Sequence, residues 1–498
     1  MNKRRARWLG FVIPLLFMLI ALPVIAATSS PLVVVTGLSI AVTNITSAEG
    51  VCPQPYTNTF YANGRMWVFY LNDDSDFVYK TAEPGGTLSS ETTIVASTGL
   101  YAVEFCVWYD KPTNTVHYAR HDMDPTPDEV VYRMGTPSSG GSITWAAAEQ
   151  TVNSTPADLL TWRTVMAVDE LHNPWVAWID TNGTGTKGVV YVEASTTHNG
   201  TWTQNTAVSS NWSVDGGVAN QTHAWFVNLC PIGGAGDNLM HLGWTSENQT
   251  AVNATGLYGV TFNASGNTSD IQNIAVDGMI YYLRPDAFDF YDIGSAVYVV
   301  YTDNAGAIVF GVKSQIQEWS EASFNFSKEE PGQVWIPTLS GYKSIVGGED
   351  LLCIANNGTA LYAGLHEYGA ALSSWDWTAV WSVPAVGDFI SRHNAAYKYS
   401  SPVTFAWENT DVSDTPDTDD VYLWWMDNSN DGLGYSPDTP TQAGANMLKV
   451  LLPLAAAIGI TIAALALIGT SNPKAWLYAI VIGLIAFIII KILVDTLL

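Results

Sequence analysis

The sequence predicts an all-β protein built from repeated antiparallel hairpins, with apolar helices only at its ends. Three observations indicate this class. Between residues 31 and 430, short runs rich in Val, Tyr, Trp and Phe alternate with Gly, Asn, Asp, Ser and Thr. Such runs are typical of strands, and no helical periodicity accompanies them. Aromatic residues make up 12% of the 498 residues, which is enough for a large core. A hairpin pattern also recurs along the whole middle of the chain.

The N-terminal segment has the organisation of a secretory signal. A basic start, Lys3 to Arg7, precedes an apolar run that ends at Ala27 and is followed by Thr28 and two serines. A basic region, an apolar stretch and small residues at its end direct export. Residues 1–27 are therefore predicted to be a signal peptide, or an uncleaved N-terminal anchor as the alternative. In both cases the chain that follows is exported.

The repeated unit is an apolar strand that ends in an aromatic residue, a polar turn and a second apolar strand. Seven copies begin near residues 66, 105, 175, 240, 297, 351 and 403. Each copy is preceded by another strand-like run, and several are followed by a run that begins with Trp, so that four strands form each unit. This period predicts a β-propeller of about seven four-stranded blades, with six blades or a β-sandwich pair as alternatives. The last copy lacks a fourth strand, and residues 31–42 are predicted to supply it and close the ring.

The C-terminal segment is predicted to be a transmembrane α-helical hairpin. Residues 450–469 and 475–490 are two uncharged apolar runs, each near the length that crosses about 30 Å of hydrocarbon. A polar turn that contains Pro473 separates them. We therefore expect a propeller ectodomain at residues 28–430, a polar linker at 431–446 and a two-helix membrane hairpin at 447–498. A stripe of Ala455, Gly459 and Ala463 suits packing within the hairpin, with homo-oligomerisation as the alternative.

The middle portion is strongly acidic. Residues 28–442 hold 13 of the 20 Lys and Arg residues and 45 of the 46 Asp and Glu residues, a formal charge of −32. Such a surface repels nucleic acid and anionic lipid headgroups, so nucleic-acid binding is excluded. The wide spacing of Cys52, Cys106, Cys230 and Cys353 excludes a paired CxxC zinc site and leaves buried thiols and disulfides as equal alternatives.

Two of the Trp-led runs carry a resemblance to a known family. Ser138 with Thr144 and Trp145, and Ser195 with Thr201 and Trp202, have the spacing of the Asp-box of sialidase-like propellers. The Asp of that motif is missing from both runs, and its Gly position is Ser or Asn. The chain thus resembles a sialidase-like propeller with degenerate motifs. The resemblance implies the fold, and for an enzyme it implies three arginines that clamp a substrate carboxylate, with a Tyr/Glu pair and an Asp.

Three arginines are candidates for a ligand site. Arg163, Arg284 and Arg392 each fall in the run that precedes a repeat's apolar strand. If those runs are the innermost strands, the guanidinium groups converge on the central channel, where they suit bidentate carboxylate recognition. The alternative is structural pairing with channel acids such as Asp289. No motif identifies a nucleophile with its base, and the histidines are interpreted as ordinary strand residues.

A polar stretch after the last repeat resembles the first half of a calcium loop. Asp427, Ser429 and Asp431 place oxygen atoms at alternate positions, Gly432 follows, and Asp438 falls at the twelfth position. This pattern predicts a calcium ion that stiffens the linker, with an ordinary polar turn as the alternative.

The acceptor motif for asparagine-linked glycosylation, Asn-x-Ser/Thr, occurs twelve times in the chain. All twelve Asn-x-Ser/Thr sequons lie in the portion predicted to be exported. They are Asn44, Asn153, Asn182, Asn199, Asn211, Asn220, Asn248, Asn253, Asn263, Asn267, Asn325 and Asn357.

Together these observations favour a membrane-anchored surface glycoprotein whose exported propeller recognises a glycan or protein ligand. It would act as a cell-surface adhesin or receptor, or as the receptor-binding spike of an enveloped virus particle. The alternatives are a sialidase-like glycan hydrolase, which requires the three arginines to face one pocket, and a structural envelope or coat protein, which requires ordered lateral contacts.

Overall fold

The computed structural model describes strands and turns between residues 40 and 426. The described residues are 40–45, 58–72, 74, 76–84, 86–96, 105–122, 129–154, 159–182, 188–202, 221–233, 239–248, 255–263, 266–267, 272–280, 288–293, 296–303, 308–314, 320–324, 336–343, 349–366, 375–382, 389–395, 403–411 and 418–426. All of them belong to one compact unit, Val34–Met426, and the second unit, Met1–Val33 with Asp427–Leu498, contains none of them. Within these ranges no helix reaches the length and apolarity of a membrane span. The predicted signal, linker and membrane hairpin lie outside them.

Seven antiparallel sheets follow one another along the described chain, and we number them in chain order. Sheet 1 pairs β2 (Thr59–Ala62), β3 (Arg65–Leu71), β4 (Phe77–Ala82) and β5 (Thr92–Val95). Sheet 2 pairs β6 (Phe105–Asp110), β7 (Thr115–Asp122), β8 (Glu129–Pro137), β9 (Ile143–Trp145) and β10 (Gln150–Ser154), the last two both on β8. Sheet 3 pairs β11 (Leu159–Val168), β12 (Pro174–Asn182) and β13 (Gly188–Ala194).

The remaining sheets repeat the same order of strands. Sheet 4 pairs β14 (Gln221–Ile232), β15 (Leu239–Asn248) and β16 (Thr255–Asn263), with β17 (Gly266–Asn267) and β18 (Gln272–Ile280) both on β16. Sheet 5 pairs β19 (Phe288–Ile293), β20 (Ala296–Thr302), β21 (Ile308–Ser314) and β22 (Ser320–Phe324). Sheet 6 pairs β23 (Ile336–Lys343), β24 (Glu349–Asn356), β25 (Ala360–His366) and β26 (Asp376–Ser382). Sheet 7 pairs β27 (Phe389–Ala395), β28 (Val403–Asp411), β29 (Thr418–Met426) and β1 (Ile40–Ile45).

The first strands of the sheets form a closed circuit of contacts. In order, β2 contacts β6, β6 contacts β11, β11 contacts β14, β14 contacts β19, β19 contacts β23, β23 contacts β27, and β27 contacts β2. Each first strand is therefore innermost in its sheet. This circuit is the arrangement of a propeller, and it rules out two stacked sheets for the described residues.

The N-terminal strand closes the ring, as the sequence predicted. Strand β1 pairs antiparallel with β29, from Ile40 opposite Leu423 to Ile45 opposite Asp419. It supplies the fourth strand that the last repeat lacks. The predicted range was 31–42, whereas the described strand begins at Ile40 and ends at Ile45. Closure by a strand from the other end of the chain covers the edge of β29 that would otherwise be unpaired.

The core lies between neighbouring sheets because both faces of most sheets are covered. In β3, Met66 to Leu71 are all buried, which explains why this strand is a continuous apolar run without polar alternation. Buried side chains form one cluster through sheets 1 to 5, a second between sheets 5 and 6, and a third between sheets 1 and 7. Among the described cysteines, Cys106, Cys230 and Cys353 are buried thiols, and Cys52 lies outside the described residues.

Successive strands alternate in direction, so each sheet has two ends. We call the end at which first strands turn into second strands the first-turn face, and the other end the second-turn face. The turns between third and fourth strands also lie at the first-turn face. Hydrogen bonds from Asn63 to Asn114 and to the carbonyl oxygen of Pro137 join sheets 1 and 2 at this face.

Candidate functional site

The candidate site lies at the first-turn face of sheets 1 to 3. Three described residues other than glycine have a positive φ: Asn63 at 54°, Asn114 at 55° and His172 at 64°. Each lies in the turn from the first to the second strand of its sheet. Asparagine adopts this left-handed conformation readily, but histidine does so at a cost of about 1 kcal/mol. The His172 turn is therefore strained and must be held by its surroundings.

The turn between β11 and β12 is held by its own hydrogen bonds. Asp169 accepts from the backbone N–H of Asn173 at 2.8 Å and from the indole N–H of Trp175 at 3.0 Å. The backbone N–H of His172 donates to the Asp169 carbonyl at 2.9 Å. These bonds project Leu171 at the tip, where 59% of the residue is exposed. A rigid turn thus presents an apolar side chain beside an imidazole.

His172 also contacts two other turns. Its Nδ1 lies 2.9 Å from Oδ2 of Asp110 at the end of β6, a close electrostatic contact without the alignment of a hydrogen bond. Its carbonyl oxygen accepts from Nδ1 of His198 at 2.6 Å, which fixes that proton on Nδ1. The His172 and His198 rings meet edge to face at 6.0 Å between centroids. About a third of the His172 side chain, 34%, remains exposed.

A third imidazole lies behind this pair and is fully buried. His117 bonds the Tyr132 hydroxyl through Nδ1 at 2.7 Å and the Thr115 hydroxyl through Nε2 at 2.9 Å. Burial, followed by the proximity of His198 and His172, lowers the pKa of His117 to about 3. His117 is therefore neutral at ordinary pH. Because both of its ring nitrogens are bonded within the core, it supports the site without reaching a ligand.

An aromatic and amide rim continues the site toward sheet 1. Tyr109 stacks on Phe60 with 4.8 Å between ring centroids and 11° between planes, and it is partly exposed. Its hydroxyl donates to Oδ1 of Asn114 at 3.0 Å, the same oxygen that accepts from Asn63. Burial and the neighbouring Asp110 carboxylate raise the pKa of Tyr109 to about 12, so the hydroxyl keeps its proton. The rim offers planar polar groups in fixed positions.

The histidines and acids of this site do not enclose a metal ion. Within the ranges that the structure describes, no group of three or more His, Cys, Asp or Glu side chains is placed to hold one. The arrangement instead offers imidazole, amide and phenol groups that can exchange hydrogen bonds with a polar ligand, together with the exposed Leu171.

The predicted arginines are only partly located. Arg163 lies in β11 and Arg392 in β27, which are first strands as predicted, and Arg392 is opposite Glu408. The positions of their side chains are not described, and Arg284 lies outside the described residues. Their convergence on the channel stays a prediction. The predicted calcium loop of Asp427, Ser429, Asp431 and Asp438 also lies outside the described residues.

The sequons divide between described and undescribed residues. Asn211, Asn220, Asn253 and Asn325 lie outside the described residues. Six others lie in strands: Asn44, Asn153, Asn182, Asn248, Asn263 and Asn267. Asn199 and Asn357 lie in tight turns, the first exposed and the second partly exposed. Their glycosylation stays a prediction.

Both motifs that resemble the Asp-box follow the third strand of a sheet, β8 in sheet 2 and β13 in sheet 3. The Ser138 hydroxyl accepts from the backbone N–H of Ser142, and the Ser195 hydroxyl accepts from that of Thr201. Trp145 meets Tyr118 edge to face at 5.2 Å, and Trp202 meets Tyr132 in the same way. These contacts are structural. The sialidase type is not established by them, and the resemblance reduces to a propeller-like fold.

The sequence interpretation missed the histidines of this site. His117, His172 and His198 come from three separate turns or strands, and their spacing in sequence carries no ligand pattern. Position in the repeat could have identified two residues of the site. Asp110 ends the first strand of sheet 2, and His172 lies in the turn that follows the first strand of sheet 3. Alignment of the repeats would have placed them side by side.

The fold and this site define a propeller-like, all-β protein with imidazole, amide and phenol groups gathered at one face. No family model matches the chain, and no curated protein matches it. Among solved structures, an ulvan lyase of polysaccharide lyase family PL25 shares 8% identity, covers 78% of this chain and 96% of its own, and gives a TM-score of 0.50. The polysaccharide lyase Uly1 shares 9% identity, covers 80% of this chain and 96% of its own, and gives a TM-score of 0.47. The BP39L lectin from Burkholderia pseudomallei shares 11% identity, covers 71% of this chain and 93% of its own, and gives a TM-score of 0.47. At 8% identity, the similarity to the ulvan lyase establishes the fold alone.

Proposed function

We propose that this chain is a membrane-anchored surface glycoprotein whose exported propeller binds a glycan at the first-turn face of sheets 1 to 3. The observation that carries the proposal is the locked turn at His172. A strained backbone held in place by Asp110 and His198 fixes an imidazole beside an exposed leucine. Strain that the surroundings hold in place is a feature of functional sites.

The chemistry of the site suits a sugar. A saccharide presents hydroxyl groups that donate and accept hydrogen bonds, and C–H faces that pack on apolar and aromatic groups. His172, Asn63 and Tyr109 supply the polar groups, and Leu171 supplies the apolar contact. Because one hydrogen bond joins the Asn63 and Asn114 turns and another joins the His172 and His198 turns, little conformational entropy is lost on binding. The propeller-like fold shared with the ulvan lyase is compatible with this role, and the likeness extends no further than the fold.

Display outside a membrane is supported by the sequence. The basic and apolar N-terminus, the twelve sequons and the two apolar runs near the C-terminus all agree with an exported, anchored domain. The strongly acidic middle portion disfavours nucleic acid as the ligand. A glycan on a cell or on another particle is a ligand that such a protein would meet.

A glycan array tests the proposal directly. The full-length chain, purified in detergent, is applied to the array, and its dissociation constant for the best glycan is measured. We expect His172→Asn and His198→Gln each to weaken binding at least about tenfold, a loss of about 1.4 kcal/mol. Asparagine tolerates the left-handed backbone, and glutamine can still donate to the His172 carbonyl, so both variants retain the fold.

The matched control is Asp74→Asn, an exposed position at the second-turn face of sheet 1. This control should bind as the unaltered chain does. Unchanged affinity in both histidine variants would exclude this site. Binding to none of the glycans would contradict a glycan ligand, and cleavage of an array glycan would favour the hydrolase hypothesis.

A further inference from the structure

Two described turns share the sequence Asn-Gly-Thr, which is an acceptor motif for asparagine-linked glycans. Asn199, Gly200 and Thr201 follow β13, the third strand of sheet 3, within the hairpin that the Ser195–Trp202 bridge closes, and Asn357, Gly358 and Thr359 lie between β24 and β25 of sheet 6. The two glycines have nearly equal φ values, 81° and 87°. The turns are therefore chemically matched, but they lie at opposite faces of the propeller. The first is at the first-turn face and the second at the second-turn face.

The Asn199 turn is attached rigidly to the candidate site. His198, the preceding residue, donates to the His172 carbonyl, and the Asn199 carbonyl accepts from Nε2 of Gln150 in sheet 2 at 2.9 Å. A Cβ at Gly200 would lie 2.4 Å from the Tyr132 ring, so this turn packs directly on the tyrosine that bonds His117. The position of Asn199 relative to the imidazoles is thus fixed by contacts on both sides.

The Asn199 side chain is placed for modification. The residue is exposed, and its Oδ1 accepts from the Thr197 hydroxyl at 2.8 Å, which orients the amide. Because N-glycosylation attaches the sugar to the amide nitrogen, the attached glycan would begin one residue from His198. Glycans are bulky and hydrated, and they limit the approach of other molecules to neighbouring surface.

We propose that an N-linked glycan on Asn199 covers the His172 and His198 side of the first-turn face and limits access to it. The inference concerns the site of the proposed function and rests on that function for its biological meaning. A glycan on the matched turn at Asn357 would leave the site open, because that turn lies at the other face.

Chemical labelling of the histidines tests the inference without any ligand. The full-length chain is produced in a eukaryotic host that attaches N-linked glycans, and glycopeptide mass spectrometry measures occupancy at Asn199 and Asn357. The chain is then treated with diethyl pyrocarbonate, and the labelling rate of His172 is measured by peptide mass spectrometry. We expect Asn199→Gln and Thr201→Val each to raise that rate at least about threefold, because each removes the bulky glycan.

The control is Asn357→Gln, which removes the matched sequon and should leave the His172 rate unchanged. The two test variants lose different hydrogen bonds of the turn, so an effect seen in only one of them would reflect the turn and overturn the proposal. Absence of a glycan on Asn199, or equal labelling with and without it, would also overturn it. The labelling experiment uses no ligand, so its result is independent of the glycan array. Shielding by the Asn199 glycan and glycan binding at the site can therefore be refuted separately.

Discussion

Asp289 joins the first strands of three neighbouring sheets through one buried carboxylate. Its Oδ1 accepts from Asn228 of β14 at 2.7 Å, and its Oδ2 accepts from Thr338 of β23 at 3.0 Å. The backbone N–H groups of Phe290 and Leu339 complete the four donors. The sequence indicated Asp289 as an acid with which channel arginines could pair. The four donors that the structure places on its carboxylate are all neutral. Burial raises its pKa to about 6, although the hydrogen bonds oppose that shift.

The Asp289 carboxyl makes stability depend on pH. Its folded-state pKa of about 6 exceeds the ordinary value of 3.8, so between these pH values the folded chain holds a proton that the unfolded chain has lost. The contribution to the free energy of unfolding is therefore present below pH 4 and falls as pH rises to about 6, by on the order of 3 kcal/mol. Chemical denaturation at pH 4 and pH 6.5 measures it. Asp289→Asn should remove this component, and equal pH dependence in both chains would contradict the assignment.

Arg120 is a buried arginine with two acidic partners. Its guanidinium bonds Glu149 through Nε at 2.7 Å and through Nη2 at 2.6 Å, and Asp122 at 2.9 Å. The side chain is 3% exposed, so the charge depends on these carboxylates for its solvation. The Tyr118 hydroxyl also donates to Glu149.

We expect Glu149→Gln to lower the free energy of unfolding by about 3 kcal/mol, because it leaves a buried guanidinium with half of its counter-charge. Urea denaturation of the variant measures the loss. The matched control is Glu83→Gln, which breaks the pair with Arg65 at a side chain that is 69% exposed. That change should cost less than about 1 kcal/mol. Similar losses in both variants would show that burial does not set the strength of these pairs.

At the scale of elements, the position of each hairpin within its sheet was predicted for six of the seven repeats. Those six hairpins are the second and third strands of their sheets. The copy at Phe105 is instead formed by β6 and β7, the first and second strands of sheet 2. The cause is physical: in a sheet buried on both faces, first and second strands are equally apolar and end in similar polar turns. The hydrophobic pattern therefore identifies which segments are strands, but it does not show which position each strand takes in its sheet.

Strand β1 is the element that closes the ring. Its pairing with β29 joins the two ends of the propeller, so replacing residues 40–45 with a Gly-Ser sequence should open sheet 7. We expect amide hydrogens of β29 to lose protection from exchange, and the midpoint of thermal unfolding to fall, because an unpaired edge remains. Hydrogen exchange followed by mass spectrometry measures both sheets at once, and amides of β12 in sheet 3 serve as the internal control. Full protection of β29 in the variant would contradict closure by β1.

At the scale of the whole molecule, membrane attachment depends on residues that the structure does not describe. The prediction rests on two apolar runs at 450–469 and 475–490, each long enough to cross a bilayer. We expect the full chain to stay in the membrane pellet after carbonate extraction and a chain ending at residue 446 to be released. Retention of the shortened chain would show that the N-terminal segment is an uncleaved anchor, and N-terminal sequencing confirms which form is present. Release of the full chain would exclude the membrane hairpin.

The sequence by itself determined the strands, the sevenfold repeat and the ring closed by its N-terminal strand. These features depend on local alternation of apolar runs and turn residues, which is repeated along the chain and therefore readable from it. Only the tertiary structure decided that Asp110, His172 and His198 meet. Asp110 and His172 meet between sheets 2 and 3, and His172 and His198 meet between two turns of sheet 3. Both contacts join residues more than twenty positions apart in sequence, and each is set by the side-by-side placement of turns that no local pattern encodes.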